Sequence, residues 1–119
     1  MENLFWMHFI LGPFFLVIAF LFKAFPPKSI NYLYGYRTTR SMKSDVAWHA
    51  ANKLSANLMV GVGFATCLAQ GIFYTTDMAF EAYVGWSSGV LVVLLLATIP
   101  VVEAHLKKNF DEQGNPISK

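Results

Sequence analysis

Residues 54–76 read LSANLMVGVGFATCLAQGIFYTT, and no Asp, Glu, Lys or Arg interrupts them. A helix rises about 1.5 Å per residue, so roughly 20 apolar residues cross the 30 Å hydrocarbon core of a bilayer. The stretch has that length and no breaker proline. Two further runs share its character, Asn3 to Phe22 and Ala82 to Val102. Charged residues are scarce throughout, 13% against 55% hydrophobic, where a soluble domain carries about a quarter. The expectation is an all-α integral membrane protein: one domain over residues 1–119, a three-helix bundle with spans near 3–22, 54–76 and 82–102 and a tail over 104–119.

The first run lacks the basic leader and small-residue cleavage site of a signal peptide, since Glu2 is the only charge before Lys23. It reads as a retained helix. Orientation follows from the cations. Lys23, Lys28, Arg37, Arg40, Lys43 and Lys53 fall between the first two spans, and Lys107, Lys108 and Lys119 follow the third. The N-terminus and the turn holding Asp77 and Glu81 have none. Positive charge stays inside, which puts the N-terminus outside and the C-terminus in the cytoplasm, with a basic cytoplasmic loop between helices 1 and 2. Near an anionic leaflet each basic residue contributes about 1 kcal/mol. Anionic headgroups are therefore the expected partners of this loop, and nucleic acid is not needed to explain the charge.

Punctuation is sparse. Gly12-Pro13 lies inside the first run and predicts a bend. Pro26 and Pro27 end that helix, and Ser44 followed by Asp45 suits the start of the next. Small residues step by four at Gly61, Ala65 and Ala69, again at Gly63, Cys67 and Gly71, and pair at Gly85 and Gly89. Such strips let membrane helices approach closely. They predict packing within the chain first, then a homo-oligomer or a larger membrane complex. Pro100 bends or thins the third helix, and beyond Lys108 the chain reads as disordered.

Catalytic chemistry finds little support. Cys67 is alone and mid-span. His8, His49 and His105 have no Cys, Asp or Glu at metal-site spacing, so neither a metal nor another cofactor is expected. The serines of the spans have no ionisable partner at matching depth. Asn57 and Gln70 are the polar groups of the second span; they read as interhelical hydrogen-bond partners rather than a proton path.

The richest stretch is residues 30–52, INYLYGYRTTRSMKSDVAWHAAN. Tyr32, Tyr34 and Tyr36 suit the headgroup belt, and Gly35 can turn the chain. Arg37 offers a planar fork to a phosphate, a carboxylate or backbone carbonyls, with Thr38 and Arg40 beside it. Trp48 and Asn52 share a helix face. The expectation is a rigid cap in which Asn52 or a nearby carbonyl holds Arg37, and Trp48 packs on the tyrosine turn.

Asn31, Gly35-Tyr36-Arg37-Thr38, Trp48 and Ala51-Asn52 resemble the pattern of the SdpI family, bacterial membrane proteins named after an immunity protein against a secreted toxic peptide. One helix before the motif and two after it fit that resemblance. It implies a multi-pass protein of the bacterial cytoplasmic membrane, non-enzymatic, in toxin immunity or envelope-stress signalling. An accessory subunit of a larger membrane complex, or a transporter or channel component, are the other readings.

Overall fold

A computed structural model describes residues 2–31 and 35–117, with the backbone alone for 2–9. It contains three helices: α1 Glu2–Ala24, α2 Asp45–Tyr74 and α3 Phe80–Asn109. α2 is the middle one. α1 and α3 each pack along it and touch each other far less, giving a rod of 56 × 23 × 21 Å.

Local chemistry sets the helix ends. Ser44 is extended (φ −156°, ψ 162°) and its hydroxyl accepts the Ala47 amide at 3.1 Å, while Asp45 meets the positive end of the α2 dipole. At the far end Thr75 and Thr76 return their hydroxyls to the Ile72 and Phe73 carbonyls, both at 2.7 Å. Asp77 then takes φ 58°, which reverses the chain into α3.

The long section of the bundle is inverted relative to a soluble protein. Asn52, Ser55, Thr66, Gln70 and Ser87 are buried, whereas Phe14, Phe64, Leu68, Trp86 and Val93 face outward. Contiguous apolar surface of this kind needs a solvent of hydrocarbon. α2 and α3 are each long and apolar enough to cross a membrane, and the apolar part of α1 whose side chains are described runs Ile10–Ala24.

Close approach of α1 and α2 rests on two glycines. A Cβ on Gly12 would meet Cys67 Sγ at 2.9 Å, and one on Gly63 would meet Leu16 Cδ1 at 2.7 Å. Gly12 also donates its amide to Gln70 Oε1 at 2.8 Å, next to Pro13, where helical bonding is interrupted. Gln70 is thus an interhelical partner. Asn57 is not, because it lies on the exposed side of α2.

The strip Gly61, Ala65 and Ala69 of α2 and the pair Gly85 and Gly89 of α3 do not pack within the chain as expected. Gly61, Ala65, Gly85 and Gly89 are exposed, Ala69 is half-buried, and a Cβ on any of those three glycines would meet nothing within 4 Å. A step of four fixes a shared face but not its direction, and this face turns away from the bundle.

The tail is ordered rather than disordered through residue 117. α3 continues to Asn109, and the chain then folds back through residue 117. Phe110 pairs with Pro116 across an isolated bridge, and Ile117 N donates to Asn109 O at 2.8 Å. Asp111 Oδ1 accepts the Gln113 and Asn115 amides, both at 2.9 Å. Gly114 closes the turn at φ +84°, where its carbonyl accepts the Ser44 hydroxyl at 2.5 Å. A side chain on Gly114 would strike Lys43 Cβ at 2.7 Å. Phe110 supplies the driving force: with Ala47, Ala51, Val102 and Leu106 it forms a buried apolar cluster at this end of the rod.

Candidate functional site

The segment joining α1 to α2 folds over the same end of the bundle, held from beneath by α2 and from the side by α3. Trp48, fully buried, donates Nε1–H to the Pro27 carbonyl at 3.0 Å and fixes where the chain leaves α1. One turn on, Asn52 grips the loop through its backbone. Its Oδ1 accepts the Tyr36 amide at 2.6 Å. Its Nδ2 donates to the Trp48 carbonyl at 2.9 Å and to the Tyr36 carbonyl at 3.4 Å.

Gly35 is required here twice over. Its φ is +105°, and a Cβ would lie 2.6 Å from both Asn52 Oδ1 and Pro27 Cγ. The chain can reach Asn52 only without a side chain at this position.

From α3, Glu103 receives the loop's side chains. Tyr36 O–H donates to Glu103 Oε2 at 2.7 Å, and Thr38 Oγ1–H donates to the same oxygen at 2.9 Å. Arg40 Nε lies 3.9 Å from Glu103 Oε1. The two hydroxyl bonds are charge-assisted and strong for their kind, while the long, part-exposed ion pair is worth at most about 1 kcal/mol. Burial first, and the Glu103 carboxylate second, push the Tyr36 phenol well above its ordinary value, so it stays a donor.

A small knot tightens the turn. Ser41 is buried; its Oγ accepts the Thr38 amide at 2.8 Å, and its hydroxyl faces the Thr38 and Tyr36 carbonyls at 3.0 and 3.1 Å. Outside the knot, Thr39, Arg40, Lys43, Glu103 and Glu112 line an open polar cleft of about 450 Å³.

Of the residues singled out in the sequence, Gly35, Tyr36, Thr38, Arg40, Trp48 and Asn52 come together in this cap. Tyr34 lies outside the described residues. Asn31 donates to the Ser29 carbonyl at 3.0 Å, away from the knot, and Arg37 is exposed. The amide of Asn52, offered to Arg37 in the sequence reading, is engaged with the backbone of Tyr36 and Trp48. Glu103 and Ser41 were missed. The signal for Glu103 was a lone carboxylate at the polar end of an otherwise uncharged span, ahead of Lys107 and Lys108.

Among the described residues no three or more His, Cys, Asp or Glu converge on a point that could hold a metal. His49 and His105 are both exposed, and His105 is engaged by Asn109, whose Nδ2 donates to its carbonyl at 2.8 Å.

Residues 28–103 match the SdpI/YfhL protein family. The chain belongs to that family. The match opens one residue after Pro27 and closes on Glu103, so it contains Gly35, Tyr36, Thr38, Arg40, Ser41, Trp48, Asn52 and Glu103. Among SdpI/YfhL relatives, the uncharacterized protein YfhL of Bacillus subtilis (strain 168) is 33% identical over 103 residues, covering 87% of this chain and 88% of that protein. No solved structure matches the chain. The family resemblance read from Asn31, Gly35-Tyr36-Arg37-Thr38, Trp48 and Asn52 is therefore established.

Proposed function

We infer that this SdpI/YfhL protein is a multi-pass protein of a bacterial cytoplasmic membrane that acts without covalent chemistry, in toxin immunity or envelope-stress signalling. Its N-terminus lies outside, and the cap faces the cytoplasm. One observation supports the non-enzymatic reading above others: Tyr36, Thr38, Ser41 and Asn52 spend their polar groups on one another, on Trp48 and on Glu103. A group so engaged closes a fold; a catalytic group must face a substrate. The sidedness is supported by the position of the described Lys and Arg residues, which all lie in the capped half of the rod.

The test is a deletion strain challenged with secreted peptide toxins and envelope stressors, complemented by the wild-type chain and by Glu103→Gln. Lower survival of the deletion strain, restored by wild type and poorly by Glu103→Gln at matched abundance, supports this reading. Survival equal to the parent across the whole panel sinks it. A reporter fused at the C-terminus tests orientation separately, and periplasmic activity of that fusion would reverse the assignment.

A second reading, an accessory subunit of a larger membrane complex, is favoured by the outward-facing Gly61, Gly85 and Gly89. Mild-detergent purification from native membranes separates the two. A stoichiometric companion held across detergents favours the subunit; recovery alone or as a homo-oligomer favours immunity or signalling.

A further inference from the structure

An open cleft of about 320 Å³ lies between the end of α1 and the first half of α2. Its mouth is formed by Lys23, His49, Lys53 and Asn57, all exposed, and Pro27 and Ala56 are buried at its floor. His49, Lys53 and Asn57 recur every four residues and so rise along one face of α2. Lys23 comes from the last turn of α1, across the gap. Among the described residues no carboxylate lines this cleft, unlike the polar cleft beside Glu103 and Glu112. It is a place for a negative charge.

The surroundings say what carries that charge. One turn before Lys23 and three turns beyond Lys53, toward the middle of the rod, Phe20 and Phe64 meet edge-on with centroids 6.1 Å apart and planes at 84°. Both rings are turned outward, 46% and 55% exposed. A basic mouth set directly above an exposed aromatic pair matches an amphiphile with an anionic head and apolar tails, lying parallel to the bundle. A free anion would use the mouth alone, whereas an amphiphile uses both the mouth and the rings below it.

We propose that this cleft is a binding site for an anionic phospholipid. Its phosphate sits between Lys23 and Lys53, with His49 and the Asn57 amide completing the mouth and the acyl chains lying over Phe20 and Phe64. The ammonium groups act as point charges on flexible stems, which suits a phosphate that arrives with varied headgroups. Recognition is therefore of the negatively charged phosphodiester rather than of one headgroup. The inference rests on the membrane reading above and adds a defined site to it.

The test uses the full chain in nanodiscs of mixed phosphatidylglycerol and phosphatidylcholine, with the lipids that remain bound counted by native mass spectrometry. Each well-placed cation is worth roughly fivefold near an anionic lipid. The wild-type chain should retain phosphatidylglycerol over phosphatidylcholine by about 25-fold, and Lys23→Gln with Lys53→Gln should bring that ratio below about twofold. Lys107→Gln with Lys108→Gln removes as much charge at the same end of the rod and should leave the ratio unchanged. Asn57→Asp places a negative charge in the mouth and should lower the ratio about fivefold alone. Thermal unfolding in pure phosphatidylcholine checks that each variant folds as wild type.

Equal retention of both lipids by the wild-type chain overturns the site. So does an equal fall in both double variants, which would mean diffuse attraction. Displacement of the lipid by excess inorganic phosphate overturns the part given to the tails. Failure of the wild-type chain to enter any bilayer would instead remove the membrane reading itself, so the two failures are distinct.

Discussion

The two ends of α2 are built on opposite rules. At the capped end Ala47, Ala51, Val102, Leu106 and Phe110 form a buried apolar cluster, as in a water-soluble protein, and the buried Ser41 and Asn52 beside it serve the loop. Beyond Ser55 the interior holds Thr66, Gln70 and Ser87, while Phe64, Leu68 and Val93 face out. One sequence changes rule within a single helix because its surroundings change. In that half hydrocarbon replaces water, burial of apolar groups stops being a driving force, and close packing takes over, with the Gly12–Gln70 hydrogen bond added to it. The loop over the cap then has backbone groups that no helix satisfies. Asn52 exists for them.

The largest expected effect follows from that last point. Asn52→Ala removes the acceptor of the Tyr36 amide and the donor to its carbonyl. The described residues of the segment form no helix or strand that could offer a substitute, so a part-buried amide is left unsatisfied. The cost is about 3 kcal/mol, the upper end for an unsatisfied neutral group because both the amide and the carbonyl lose their partner, read as a large fall in thermal unfolding temperature in detergent and in membrane abundance. An Asn52→Ala protein as stable as wild type would dissolve the distinction between the two ends.

Phe110→Ala comes next. Phe110 is 9% exposed against the apolar cluster, and truncating a buried aromatic costs about 3–5 kcal/mol where the site cannot collapse. Here the site is at the tip of the rod, so a loss of about 2 kcal/mol is expected. Limited proteolysis beyond Asn109 should quicken in parallel. Unchanged stability with unchanged proteolysis would mean the tail docks without Phe110.

The helices were legible in the sequence because charge-free runs of bilayer length have few other uses. The start of α2 was legible too, from Ser44 and Asp45. What escaped was direction and distance. Gly61, Ala65 and Ala69 share a face with the same spacing as Gly63 and Cys67, and only the packed structure tells which face meets α1. Glu103 lies 67 residues from Tyr36, and no local pattern announces so remote a bond. The tail misled because Asp, Glu, Gln, Gly, Asn and Pro suit both disorder and a tight turn. Phe110, an aromatic one turn after a buried leucine, was the residue that distinguished the two.

Tyr36→Phe gives a smaller effect with a pH signature. The loss of a hydroxyl bond to a carboxylate is expected to cost about 1.5 kcal/mol near neutrality. The folded phenol titrates above its ordinary value of 10.0. Its contribution is therefore fully present below about pH 10 and is lost as pH rises from there toward the raised folded value, since the unfolded state ionises first. Wild type should lose stability over that alkaline range more steeply than Tyr36→Phe. Parallel alkaline curves would show that the phenol is not held by Glu103.

The smallest effect is the sharpest test of the comparison. Gln70 is 1% exposed and accepts the Gly12 amide at 2.8 Å, so by burial alone it should rival Asn52. It should not. Gly12 belongs to a helix, where an amide can turn back to the carbonyl four residues before it, whereas the Tyr36 amide has no such alternative. Polar pairs between membrane helices average only about 0.6 kcal/mol for the same reason: the separated helices still find partners. Gln70→Leu is therefore expected to cost under about 1 kcal/mol and to lower the unfolding temperature far less than Asn52→Ala. Equal losses would mean that burial, not the availability of a second partner, decides what a polar side chain is worth in this bundle.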